Sequence, residues 1–372
     1  MTKILFFIES LTGGGAEKVL RNLVNAMDQQ RFQITVQTLY PEKAAELLAP
    51  GIRYRACYPA ATPAGNARMR LEAALGLTYP LHIRGDYDIE VAYLECGSTK
   101  IMAGSTNRNA LKLAWVHCDL AKKAEDPEAF ARATAKYYRK FDKVICVSET
   151  ARKHFQQLFP DGPECVTLYN TVPDESIRKD AEAFVPFYPQ NTHNLVCAGR
   201  LAAEKGVDRL LAAHEKLLQV GIEQKLWIVG DGPERESLKE QAARLQSPEK
   251  VHFTGFQENP YPYMLHGDIL VCPSHYEGFS TFVTEGLILG KPIVTTECSG
   301  MRELLGDSQY GLITANEDEA FYQGLRRMLT EPGLLEHYRE MAGVRGKDFR
   351  QQTLVQATEA FLENTWKARW GK

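Results

Sequence analysis

Short β-branched and aliphatic runs recur from one end of the chain to the other, and between them apolar residues fall at helical spacing. In the first half the strand-like runs are "KILFFIES", "QITVQTLY", "RYRACY", "IEVAYLE", "LKLAWVH", "KVICVS" and "CVTLYN". In the second they are "NLVCAG", "KLWIVG", "VHFTG", "DILVCPS", "PIVTTE" and "GLITA". Segments such as "GAEKVLRNLVNAM" and "VDRLLAAHEKLLQ" read as amphipathic helices. Strands that are apolar on both faces and alternate with helices predict parallel sheets covered on each side, a doubly wound α/β architecture. The series breaks once, at the polar, proline-bearing stretch 171–194, which reads as a linker. The expectation is two Rossmann-like domains facing across a cleft, over 1–170 and 195–350, with a final amphipathic helix over 351–372. Ligands of such sheets bind beyond the carboxyl ends of the strands.

Composition changes this picture little. A chain of 372 residues exceeds one hydrophobic core, and 44% hydrophobic with 24% charged residues is ordinary for a globular protein. The start of the chain reads as a first strand and not as a signal peptide. Eight cysteines stand singly, with no C-x-x-C pair, which favours a reducing cytoplasm over disulfides or zinc. A net charge of −3 gives no general attraction to nucleic acid. Residues 1–170 carry +4 and the remainder −7, a small asymmetry that is either chance or a weak attraction of the first half to an anionic membrane. The segment "DPEAFARATAKYYRKFDK" offers Phe130, Ala133, Tyr137 and Tyr138 beside Arg132, Lys136, Arg139 and Lys140. It reads either as a helix packed on the sheet with a solvated basic face or as an interfacial docking element.

Candidate chemistry falls just after strands. Gly13, Gly14 and Gly15 follow the first strand and open a helix, as a tight turn or as a place for close approach of an anion. "AGRLAAEKG" sets Arg200 and Lys205 beside a helix start, a pair suited to a diphosphate. Asp231 in "VGDGPER" is a turn or capping residue, or a ligand contact. His117 ends the strand "LKLAWVH", as a structural residue or as a substrate contact. "EGFSTFVTEGLILGKPIV" places Glu277 in a loop and Glu285 about one turn inside the following helix, for which Ser280 is the expected cap. Glu285 there is either a favourable partner of the helix dipole or a ligand group. "DYD" at Asp86–Asp88 has the look of a metal-binding D-x-D, but it precedes a strand and so lies away from a carboxyl-end site.

The ordered set "GGGAEKVL", "GRLAAEKG", "VGDGPER" and "EGFSTFVTEGLILGKPIV" resembles the retaining family-4 glycosyltransferases of GT-B fold, the group 1 glycosyltransferases, over nearly the whole chain. The last stretch matches that family's E-x7-E motif. The resemblance implies transfer of a sugar from a nucleotide-diphosphate donor, with uridine as the base, to a lipid-linked or saccharide acceptor in cell-surface glycan synthesis. It implies Arg200 and Lys205 at the diphosphate, and Glu277 at the sugar hydroxyls with Gly278, Phe279, Ser280 and Thr281 beside it. Glu285 would hold the ribose and His117 the sugar near the reaction centre, with Gly14 and Gly15 admitting diphosphate and acceptor. No metal and no cofactor are implied, the nucleotide sugar being a substrate, and the enzyme would be cytoplasmic, at the inner face of the membrane if it docks there. The last helix would cross back to the first domain. A nucleotide-sugar 2-epimerase of the same fold and a non-catalytic nucleotide-sugar-binding subunit are the alternatives.

Overall fold

The computed structural model describes residues 1–12, 14–189 and 191–371. The chain forms two compact units, one of residues up to Thr171 together with those from Gln351 onward, the other of Val172–Arg350. In the first unit the order is β1 (Thr2–Phe7), α1 (Gly15–Ala26), β2 (Phe32–Thr38), β3 (Arg53–Ala56), α2 (Pro63–Ala74), α3 (Thr78–His82), β4 (Ile89–Ala92) and α4 (Gly97–Met102). It continues with β5 (Leu111–Val116), α5 (Leu120–Lys123), α6 (Pro127–Tyr138), β6 (Lys143–Cys146), α7 (Glu149–Leu158) and β7 (Glu164–Thr167). The strands form one parallel sheet in the order β3-β2-β1-β4-β5-β6-β7. The reversal of strand order beside β1 and β4 is the switch point at which such sheets leave a crevice.

The second unit opens with α8 (Asp174–Ala181), then β8 (His193–Ala198), α9 (Val207–Gln219), β9 (Gln224–Val229), α10 (Arg235–Ala243), β10 (Val251–Gly255), α11 (Tyr261–His266) and β11 (Ile269–Cys272). It ends with α12 (Thr281–Ile288), β12 (Ile293–Thr296), α13 (Met301–Leu305), β13 (Leu312–Thr314), α14 (Asp318–Thr330) and α15 (Leu334–Arg345). Its parallel sheet has the order β10-β9-β8-β11-β12-β13. Both sheets bury the middle of their central strands: Ile4 to Phe7, and Leu195 with Val196, have no exposed surface.

One local expectation changes, and one open alternative is narrowed. The stretch read as a linker contains α8, whose Ile177 and Ala181 are fully buried and which packs on α11 and α12. Two apolar residues at i and i+4 are too few to reveal a helix by period, and tertiary packing supplies what the pattern lacks. In α6 the aromatic residues turn inward: Tyr138 is 1% exposed, and Phe130 and Tyr137 pack against the first core. What faces water is Arg132, Ala133, Lys136, Arg139 and Lys140, the solvated basic face of a helix lying on its sheet.

The final helix, α16 (Gln351–Trp370), packs in the first unit against α1 and β5. Its buried Glu359 accepts from the Asp28 N–H at 2.7 Å and from Arg31 at 2.8 Å, while Glu363 takes the other Arg31 nitrogen at 2.9 Å. One arginine thus ties the first helix region to the end of the chain.

Candidate functional site

In the second unit three loops meet at the carboxyl edge of the sheet, and glycine lets them. They follow β8 (199–206), β9 (230–234) and β11 (273–280). Gly230 has φ +144°, and a Cβ there would lie 1.9 Å from the Gly199 carbonyl oxygen. A Cβ on Gly232 would lie 2.2 Å from the Leu201 oxygen. The backbone then cross-links the loops: the Leu201 N–H donates to the Asp231 carbonyl at 2.9 Å, the Glu234 N–H to Leu201 at 2.9 Å, and the His275 N–H to Glu204 at 2.8 Å. Such a frame fixes side-chain origins before any ligand arrives.

Lys205 and Glu277 meet on this frame. The Lys205 Nζ lies 2.8 Å from Glu277 Oε1, and the Ser274 hydroxyl donates to the same oxygen at 2.7 Å. Burial works against the charge on Lys205, yet the Glu277 carboxylate outweighs it and raises the ammonium above its usual range. Ser274 is itself braced from β12, its carbonyl accepting from the Thr296 hydroxyl at 2.5 Å and the Cys298 thiol at 3.0 Å. Arg200 is more open, 56% exposed along its side chain, and pairs with Glu204 at 2.9 Å. Behind the loop, the buried Arg209 reaches His275 Nδ1 at 2.8 Å and the Asn316 side-chain oxygen at 2.6 Å, and Asn316 donates to the His275 carbonyl.

The second glutamate has a different setting. Ser280 caps α12 by accepting from the Val283 N–H, which fixes the helix start between the two carboxylates. Glu285 is 6% exposed and accepts from the buried Tyr261 hydroxyl of α11 at 3.0 Å. Gly286 brings the helix onto the sheet, since a Cβ there would lie 2.7 Å from a methyl of Leu270. Gly278, Phe279 and Ser280 are buried in the loop, and Thr281 opens the helix. Asp231 is occupied locally, accepting from the Gly232 N–H at 2.8 Å and from Arg235 at 2.9 Å, which is the turn-holding role.

In the first unit His117 follows β5. Its ring lies 4.6 Å from Tyr93 and stacks on Trp115 at 16°. Both ring nitrogens are shielded from solvent and, among the described residues, bond to no protein atom. Burial pushes the imidazole down to about 4, against the pull of Glu95, so the ring is neutral near pH 7. Glu95 accepts from the His117 N–H at 3.0 Å, from the Cys118 thiol at 3.1 Å and from Lys123 at 2.9 Å. Burial opposes its charge, but Lys123, ahead of these other partners, holds the carboxyl down at about 2. Buried polar atoms in native proteins are nearly always bonded, so the two free nitrogens of His117 mark a place for a ligand hydroxyl or a water. Gly14 caps α1 in extended geometry at φ −149°, and a Cβ there would meet only the movable Glu17 carboxylate. Gly15 is the first residue of α1, and Gly13 lies outside the described residues. Asp86 and Asp88 sit at the amino ends of the strands, where Asp88 accepts from the Lys3 N–H at 2.8 Å.

The structure therefore brings Lys205 to Glu277 and sets Arg200 and Glu285 on the same carboxyl edge, with His117 on that of the other sheet. Sequence reasoning missed Ser274, Tyr261 and Arg209, and the Glu95–Lys123 pair beneath His117. Ser274, three residues before Glu277, was within local reach; Tyr261 carries no signal beyond a preceding proline.

Two family models match, "Glycosyltransferase Family 4" over residues 13–176 and "Glycosyl transferases group 1" over 179–345. The chain belongs to the group 1, family-4 glycosyltransferases of GT-B fold. It is 27% identical to the N-acetylgalactosamine-N,N'-diacetylbacillosaminyl-diphospho-undecaprenol 4-alpha-N-acetylgalactosaminyltransferase of Campylobacter jejuni, over 97% of this chain and 100% of that one. It is 27% identical to a GDP-mannose-dependent alpha-(1-6)-phosphatidylinositol dimannoside mannosyltransferase of Mycobacterium tuberculosis, over 62% of this chain and 60% of that protein. Among solved structures it is similar to Anabaena HepE in complex with UDP-glucose, with a TM-score of 0.77, 19% identity and coverage of 98% and 100%. The chain is a glycosyltransferase.

Proposed function

We propose that this glycosyltransferase moves a sugar from a uridine diphosphate donor to a lipid-linked acceptor, with retention at the anomeric carbon and without a metal ion. The observation that carries the reading is the backbone-locked carboxyl edge of the second unit. There Lys205 pairs with the largely shielded Glu277, Arg200 pairs with Glu204 on the same loop, and Glu285 is buried one turn into α12. The cations stabilise the diphosphate as the bond from the anomeric carbon to phosphate oxygen breaks. The acceptor oxygen bonds that carbon from the same face, and its proton passes to the departing phosphate. Glu277 accepts from sugar hydroxyls and Glu285 from the ribose, so neither is a nucleophile. In the first unit His117, neutral, keeps a ring nitrogen for a ligand hydroxyl. A uridine donor is supported by the UDP-glucose complex of HepE and a lipid-linked acceptor by the Campylobacter relative, while the mycobacterial relative uses GDP-mannose.

An epimerase would need a proton donor and acceptor in the first unit. Glu95, ionised and fully engaged with Lys123, His117 and Cys118, is poorly suited to that work. Steady-state transfer tests the proposal. Arg200→Ala should lower kcat by roughly 10²–10³, because its bond strengthens as charge develops. Glu285→Gln should mainly raise KM for the donor, since a ribose keeps its charge through the reaction. A folded Arg200→Ala with near-normal kcat would refute the diphosphate assignment.

A further inference from the structure

Helix α2 is built inside out. Its one strongly buried side chain is Glu72, at 8% exposure, while Leu71 is 61% and Leu75, at the helix end, 63% exposed. The orientation is held in place and not accidental. Glu72 accepts from the Tyr58 hydroxyl at 2.7 Å and from Arg68 Nε at 2.6 Å, and its carboxylate lies 2.7 Å from His82 Nε2, so turning it outward would orphan the buried Tyr58 and the partly buried His82. Thr62 caps the helix by accepting from the Gly65 N–H. The outward stripe, at i, i+3 and i+4 spacing, is Ala64, Ala67, Leu71 and Leu75. The next helix repeats the arrangement: Leu77 and Leu81, four apart around α3, are 41% and 44% exposed.

Charge identifies the partner. Arg68 and Arg70 flank the leucines and Arg84 follows α3, all three exposed. Glu72 is the single carboxylate of residues 63–84, and it faces inward. Within residues 63–84 the exposed charges beside this apolar face are all cationic, which suits a surface with anionic groups above hydrocarbon. A second copy of this chain would bring the same cations against themselves at a two-fold contact. Among the described residues no helix is long and apolar enough to cross a membrane.

We propose that α2 and α3 form the surface by which this glycosyltransferase docks on an anionic lipid bilayer, the leucines entering the headgroup boundary and the arginines meeting lipid phosphates. The element that the sequence had suggested, α6, takes no part, because its aromatic side chains belong to the core. The inference deepens the lipid-linked acceptor reading and rests on it for its purpose. The test contains neither donor nor acceptor, so each can fail without the other.

The full chain is co-sedimented with vesicles of phosphatidylcholine and phosphatidylglycerol in equal parts, and with phosphatidylcholine alone. The wild type should bind the anionic vesicles and bind the neutral ones more weakly. Leu71→Gln with Leu75→Gln should reduce the partition coefficient roughly tenfold or more, and Arg70→Gln roughly fivefold. Lys136→Gln with Lys140→Gln on α6 should change it less than twofold. The leucine variant, altered only on an exposed face, should keep its melting temperature. Three outcomes would overturn the proposal: a wild type that ignores anionic vesicles, a leucine variant that binds like the wild type, or an α6 variant that loses binding instead. Sedimentation velocity showing a wild-type dimer dispersed by the leucine changes, with no vesicle binding, would assign the face to a second copy.

Discussion

The ion pair between Lys205 and Glu277 allows stability and chemistry to be separated. The two partners differ in burial: the Glu277 side chain is 10% exposed and that of Lys205 32%. Lys205→Met keeps the aliphatic stem but leaves a buried carboxylate with the Ser274 hydroxyl as its remaining close donor. Breaking a fully buried pair costs about 3–5 kcal/mol. Access of water to the Lys205 side discounts this, to about 2–3 kcal/mol. Glu277→Gln is milder, about 1 kcal/mol, because the freed ammonium can turn to water and the amide still accepts from Ser274. The double variant removes both charges and should recover to within about 1 kcal/mol of the wild type.

Scanning calorimetry reads these differences, since the two units need not melt together. For a unit of this size each kcal/mol moves Tm by about 2–4 °C. Lys205→Met should therefore lower the transition of the second unit by roughly 4–12 °C. All three variants should lose transfer, the double variant included. A double variant as unstable as Lys205→Met would show that an unpaired Glu277 is not what costs stability. A larger loss in Glu277→Gln than in Lys205→Met would reverse the burial argument.

The glycines of the second unit should be intolerant where backbone meets backbone: Gly230→Ala, at φ +144° and 1.9 Å from a carbonyl oxygen, should cost more than about 2 kcal/mol or prevent folding. Gly14→Ala meets only a movable side chain and should stay within about 0.5 kcal/mol, as denaturant melts would show. Burial holds His117 and the fully buried His214 at about 4, below the ordinary 6.5, so the unfolded chain binds more protons between those values and stability falls as pH drops through them. Each should contribute a loss of about 2 kcal/mol by pH 5, and His117→Gln should remove its share of the difference between melts at pH 7 and pH 5. Transfer should persist in excess EDTA, and complete loss restored by Mg²⁺ would refute the assignment of leaving-group stabilisation to Arg200 and Lys205.

The strands were legible because parallel strands buried on both faces are written as unbroken apolar runs, and "DILVCPS" can be little else. The helix between the glutamates was legible for a different reason: Ser280 caps locally, through a bond to Val283 in its own turn. What stayed hidden depends on partners distant in the chain. Lys205 finds Glu277 across 72 positions, and Tyr261 finds Glu285 across 24. Neither pairing leaves a periodic trace. In α6 the tyrosines left core packing and interfacial docking both open, because a pattern shows which residues share a face and not which way the face points. In α2, a segment the pattern did not single out, the bonds from Tyr58, Arg68 and His82 reveal that the glutamate is the inner residue.

The pairing of the cations bears on how the donor is held. Lys205 is neutralised by Glu277 and Arg200 by Glu204, so the edge proposed for a diphosphate carries little net charge of its own. Long-range attraction therefore contributes little to capture, and the residues after 170 carry a net −7. Binding has to come from short-range exchange. If a diphosphate takes a share of Lys205, as proposed above, Glu277 gives up part of its ion pair and regains acceptor capacity for the sugar hydroxyls. On the proposed reading one carboxylate is a counter-ion in the empty protein and a hydroxyl acceptor in the loaded one. The exchange needs side-chain motion alone, because the loops that carry Lys205 and Glu277 are joined by the His275–Glu204 backbone bond and cannot drift apart cheaply. A rigid frame with a labile ion pair favours a ligand that carries phosphate and sugar together over one that carries either alone.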